Sequence, residues 1–121
     1  MSVPEPARGL TTYADLGFKN YQERETKSNL VIEISKAIKK RKLTPAQAAA
    51  VFCISQSKLS ELLRGRFRRF SVERLIHFLN ELGQDVDIVV KSKPRNRKAR
   101  VSVYHSYNEI RAILPMSAKR R

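Results

Sequence analysis

The sequence predicts a mainly α fold, a bundle of four to five helices followed by a C-terminal β-hairpin. Three times between residues 43 and 75 an apolar residue precedes a Ser or Thr, with a second apolar residue four positions beyond the hydroxyl. The sets are Leu43, Thr44 and Ala48; Ile54, Ser55 and Leu59; and Phe70, Ser71 and Leu75. This is the signature of a helix start: the hydroxyl accepts an otherwise orphaned amide, and the apolar pair fixes the angle of approach. After Gly83 the period changes to two. Val86, Ile88 and Val90 lie on one side, with Asp87 and Val89 on the other; Val101 and Val103 alternate with Arg100, Ser102 and Tyr104.

Taken in order, residues 1–19 are polar and carry Pro4, Pro6, Gly9 and Gly17, which predicts a flexible or loosely docked arm. Asn20 and Glu23 have capping-box spacing, and Leu30, Ile34 and Ile38 then recur every four residues beside Val31 and Ala37. The pattern predicts a helix from about Tyr21 to Arg41, with a break near Ser28 allowed. Thr44 caps the next helix, Pro45 takes its first position and Gln47 returns the capping bond. The helices expected from the three starts are 45–52, 56–64 and 72–82. Gly65 and Gly83 fall just past two of the ends, where a left-handed residue stops a helix.

Strands are expected at 85–91 and 100–105, joined by a charged loop holding Pro94. A lone hairpin is marginal in water, so it should pack on the helices or pair with a second copy. A short helix is expected at 106–114, with Lys119, Arg120 and Arg121 disordered. The resulting organisation is an arm (1–19), a helical domain (20–83), a hairpin extension serving dimer or partner contact (84–105) and a basic tail (106–121).

A chain of 121 residues with 41% hydrophobic content and no Trp makes one domain with a small core. The apolar runs, such as Ile88-Val89-Val90, are a few residues long, too short to span a membrane. The first residues lack the basic-then-apolar layout of a secretory signal, and the single Cys53 excludes an internal disulfide. A cytoplasmic, nucleoid-associated location is the expectation. These facts argue against a membrane protein, a disulfide scaffold and a large cofactor enzyme.

The 25 Lys and Arg outnumber 11 Asp and Glu, a net charge of +14. Residues 1–27 balance at zero, while 28–83 and 84–121 each carry +7. Two clusters, Lys39-Lys40-Arg41-Lys42 and Arg64-Gly65-Arg66-Phe67-Arg68-Arg69, contain no acid and lie about 25 residues apart. A merely solvated surface would intersperse acids, so a polyanion footprint is the better reading.

Between those clusters, helix 45–52 leads through Cys53, Ile54 and Ser55 into helix 56–64, the layout in which a second helix enters the DNA major groove. Two helices crossing steeply need a small residue at the crossing, and Ala49 fits. Ile54, Leu59 and Leu62 are placed to point inward and lock the second helix, which matters because a base-edge hydrogen bond requires a donor held in register. The outward residues are Gln56, Ser57, Lys58, Ser60, Glu61 and Arg64. Apart from Lys58 and Arg64 that set is uncharged or acidic, which suits bases better than phosphates.

The stretch Leu43 to Gly65 resembles the Cro/CI-type, or xenobiotic-response-element (XRE), helix-turn-helix regulators, whose lambda-repressor-like bundles bind operator DNA as dimers. A closer resemblance, to Hig-class antitoxins of toxin–antitoxin operons, rests on Arg69-Phe70-Ser71, Arg74-Leu75-Ile76, Leu79, Leu82-Gly83, Asp85-Val86 and Ile88-Val89-Val90. Tyr13 to Phe18 is similar to that family's N-terminal arm. The resemblance implies a sequence-specific repressor of its own operon, a homodimer on double-stranded DNA, and a RelE/ParE-type toxin as a protein partner. It implies base reading by Gln56 and Ser57, with Lys58, Ser60 and Glu61 beside them; Glu61 would accept from a cytosine amino group. Thr44, Arg64, Arg66, Arg68 and Arg69 would bind phosphates. Two positions depart from the pattern. Cys53 stands where the turn usually has Gly, which implies backbone strain, and Pro45 stands where a phosphate-binding Gln is frequent.

Other residues read more plainly. Cys53 is expected to be a small, half-buried turn residue, and His77 and His105 have no partners at metal spacing. Ser55, Ser57 and Ser60 lack a neighbouring His and Asp, so they are caps and hydrogen bonders rather than nucleophiles. Glu23, Glu25 and Glu33 should be solvated on the first helix. No catalytic, metal or cofactor site is expected. The alternative function is a general basic RNA-binding protein without sequence preference, using the seven basic residues from Lys91 to Arg111. That reading leaves the uncharged start of the second helix unexplained.

Overall fold

The computed structural model describes residues 13–106, 108, 109 and 111. Four helices follow in order: α1 (Tyr13–Lys40), α2 (Pro45–Phe52), α3 (Gln56–Leu63) and α4 (Val72–Glu81). The expected starts of α2, α3 and α4 are all present. Thr44, Ser55 and Ser71 have extended backbones, and the side-chain oxygen of each accepts from the amide three residues on. The apolar partners behind them, Ala48, Leu59 and Leu75, are all buried.

α1 is longer than expected. It runs without a break through Ser28 and begins at Tyr13, so Asn20 lies inside the helix rather than at its cap. The arm expected over 1–19 is therefore helical from residue 13, and its first twelve residues lie outside the described part. α1 packs along α4, and α2 on α3. Ile34, Leu59, Leu62, Leu75 and Leu82 are the largest fully buried side chains. Phe78 stacks on Phe52 at 4.3 Å between ring centroids and meets Phe70 edge-on at 5.9 Å. The Arg74 guanidinium sits 4.8 Å from the Phe70 ring centroid, a cation–π contact closing that corner of the core.

All four helices stop in the same way. An amide two or three residues past the end of each helix reaches back five residues to a carbonyl, and a left-handed residue precedes it. The bonds are Leu43 N–H to Ile38 O (3.1 Å), Ile54 to Ala49 (3.0 Å), Arg66 to Glu61 (2.9 Å) and Gln84 to Leu79 (2.9 Å). Gly65 and Gly83 supply two of the left-handed positions, as expected; Lys42 (φ 55°) and Cys53 (φ 57°) supply the others.

The C-terminal β-hairpin is not formed: among the described residues there is no strand, and 84–105 run as irregular chain with a turn at 95–97. Ile88 is 78% exposed and Val90 91% exposed, so nothing among the described residues covers these two positions of the alternating apolar face. Two strands without such cover do not hold together. Val86 and Val103 alone of that segment's valines pack against the core. His105 docks the segment on α1, its Nδ1 meeting Glu33 and its Nε2 lying 3.2 Å from Asn29 Oδ1. Glu33 is thus engaged, not simply solvated as expected. Residues 108, 109 and 111 are helical, and Ser106 Oγ accepts from the Glu109 amide at 3.2 Å. The expectations for residues 112–121 lie outside the described residues.

Candidate nucleic-acid interface

The site is built from the start of α2 onward. Thr44 Oγ1 accepts from the Gln47 amide at 3.1 Å, and Gln47 Oε1 accepts from the Thr44 amide at 2.9 Å, completing a reciprocal cap. The cap narrows what this helix end offers an anion. Pro45 has no amide and that of Gln47 is spent on Thr44, leaving Ala46 as the first-turn donor that faces outward.

At the middle of α2, Ala48 and Ala49 are buried, which lets a neighbouring helix approach closely. Cys53 takes φ 57° and ψ 42°, turning the chain from one helix axis to the next within three residues. It is exposed rather than half-buried. Ile54 is half-buried behind it, and Ser55 Oγ accepts from the Lys58 amide at 3.1 Å.

α3 then divides cleanly. Leu59 is 2% and Leu62 0% exposed, which fixes the helix on its inner side. At about 100° per residue, Gln56, Ser57, Ser60 and Glu61 fall in one outward arc, with Lys58 at its flank. Gln56, Ser57, Lys58 and Ser60 are exposed and Glu61 is half-buried. The Glu61 carboxylate pairs with the Arg66 guanidinium, with Nη1 at 3.4 and 3.3 Å from its two oxygens. A residue expected to read bases and one expected to bind phosphate are thus partners within the chain.

Arg64, Arg66, Arg68 and Arg69 are exposed on the loop that follows. That loop is anchored from within. Phe67 and Phe70 are buried, and the Phe70 amide donates to the Phe67 carbonyl at 3.0 Å, so the arginines splay outward from a pinned turn. Lys27 adds a tie from α1: its side chain, 8% exposed, pairs with Glu23 at 3.0 Å and reaches the Arg68 carbonyl at 3.5 Å. Sequence reasoning missed Lys27 entirely, since its contact spans 41 positions. Phe67 was readable as an apolar interruption in a run of arginines. Thr44 lies apart from these arginines in sequence, one helix earlier, at the other end of α2.

The comparisons agree with this geometry. The sequence profile of a helix-turn-helix domain family matches residues 12–91. A solved structure assigned to the XRE family of transcriptional regulators is 43% identical, superposes with a TM-score of 0.66, and aligns over 72% of this chain and 99% of its own. No curated protein matches the chain. With the two-helix corner, the buried inner edge of α3 and these matches together, the chain belongs to the helix-turn-helix domain family, as an XRE-type regulator.

Proposed function

We propose that this regulator reads an operator through the outward arc of α3, with Gln56, Ser57, Lys58, Ser60 and Glu61 facing base edges. Thr44, Arg64, Arg66, Arg68 and Arg69 hold the phosphates on either side. One observation carries the reading: a short helix clamped by Leu59 and Leu62 exposes the uncharged hydrogen-bonding side chains of Gln56, Ser57 and Ser60, between two clusters that are basic in the sequence. Rigidity gives register, and polar groups without charge discriminate bases. Glu61 accepts from a cytosine only by loosening Arg66, which then turns to the backbone.

The regulator acts as a homodimer that represses its own operon from the cytoplasm, and serves as the antitoxin to a RelE/ParE-type toxin. Support for the antitoxin role is the resemblance of the segment from Arg69 to Val90. Two readouts test the proposal. Gln56→Ala should cost about 1–3 kcal/mol on the cognate operator and little on random DNA; equal losses on both would remove Gln56 as a reader. Co-expression with the toxin of the neighbouring gene should restore growth, and continued growth arrest would end the antitoxin reading.

A further inference from the structure

Residues 85–93, Asp85-Val86-Asp87-Ile88-Val89-Val90-Lys91-Ser92-Lys93, have a property that the described residues of their own chain do not use. Folded antiparallel onto a copy of itself about Val89, the segment is self-complementary in charge, and its central residues in hydropathy. Asp85 falls opposite Lys93, Val86 opposite Ser92, Asp87 opposite Lys91, Ile88 opposite Val90, and Val89 opposite its symmetry mate. The apolar residues Val86, Ile88 and Val90 then share one face with Ser92, and the charged residues share the other with Val89 at its centre.

The single chain leaves this arrangement open. Ile88, Val89 and Val90 are 78%, 45% and 91% exposed, and the backbone there belongs to no ladder. Val86, on the apolar face, already packs against the helical core. A paired ribbon would therefore lie with its apolar face toward the bundles and its acids and lysines in water, as one-sided antiparallel sheets do. Lys93 donates to the adjacent Pro94 carbonyl at 3.3 Å, a local bond that a cross-strand carboxylate readily replaces.

We infer that residues 85–93 form a two-fold antiparallel ribbon with the same residues of a second chain, in the register that pairs Val89 with itself. The inference deepens the dimer reading above and rests on it. Register is what the pattern specifies. Shifting by one residue puts Asp and Lys on the apolar face. A shift of the axis to Val90 sets Val89 against Lys91 and places Val86 opposite Pro94, which has no amide to give. A shift to Ile88 keeps Asp85 opposite Lys91 but sets Asp87 against Val89. An isologous contact of this kind closes after two copies and gives the DNA-reading helices their two-fold relation.

The test is a charge swap on the full chain, read by sedimentation equilibrium, with far-UV circular dichroism confirming the helical bundle. Lys91→Asp with Lys93→Asp makes the segment wholly acidic, while Asp85→Lys with Asp87→Lys makes it wholly basic. The parent chain is expected to be dimeric, each variant alone monomeric, and an equimolar mixture a heterodimer. Independently, Val89→Cys in a Cys53→Ser background should oxidise to a covalent dimer, and Val90→Cys should not. A monomeric parent, as expected if 85–91 pairs with 100–105 of its own chain, overturns the proposal. So does either charge variant dimerising alone, or a mixture that stays monomeric. Base reading by Gln56 is scored separately on a single half-site, so loss of the ribbon leaves that result standing.

Discussion

Cys53→Gly should stabilise the protein, against the usual direction of substitutions. Cys53 holds φ 57° and ψ 42°, a conformation that costs an L-residue about 1–2 kcal/mol because Cβ crowds the following carbonyl. Gly escapes that cost but adds about 0.5–1 kcal/mol of unfolded-chain entropy. The thiol is exposed, so its removal opens no cavity. The balance is a gain of about 0.5–1 kcal/mol, or roughly 3–6 °C in melting temperature for a domain of this size. Urea unfolding should show a higher midpoint at an unchanged slope. Cys53→Ala is the control, since it keeps Cβ and hence the strain, and should be near neutral. If Ala stabilised as much as Gly, the gain would come from losing the thiol, and the strain argument would be refuted.

Lys42→Gly should give a similar gain, because Lys42 sits at φ 55° with the same back-bond behind it, and unfolding of the double variant should be additive to within about 0.5 kcal/mol. Leu62→Ala should cost about 2–5 kcal/mol in chemical denaturation, while Leu63→Ala one position on, 37% exposed, should cost far less. Removing Arg68 and Arg69 together should flatten the salt dependence of operator affinity by about 0.9 in log–log slope for each phosphate no longer neutralised. Lys27→Ala leaves the Arg68 carbonyl without its donor, and should lower stability by about 1–3 kcal/mol with partial recovery in Lys27→Arg.

What the sequence made legible was local. Three caps were readable because the hydroxyl, the amide it accepts from and both apolar flanks lie within six residues of each other. The outward arc of α3 followed from the same periodicity that buries Leu59 and Leu62. Helix ends were readable to within a residue; Gly65 and Gly83 marked two of the left-handed positions and the family's turn glycine pointed to strain at Cys53, whereas nothing about Lys42 announces one. Asn20 misled for a related reason: capping-box spacing also occurs inside a helix, where the backbone already satisfies those amides. The hairpin misled because alternation reports a two-faced segment and says nothing of its partner. Contacts between distant positions left no local trace, as with Lys27 to Arg68 and His105 to Glu33.

Amide NMR of the labelled protein, titrated with its operator duplex, tests most directly whether α3 is the element that touches bases. The largest shifts should fall on Gln56 to Glu61, with smaller ones on Ala46 and on Arg64 to Arg69, and Gln56→Ala should erase the first group selectively. Shifts confined to the basic segment from Lys91 to Arg111, with residues 56–61 unmoved, would contradict base reading by α3.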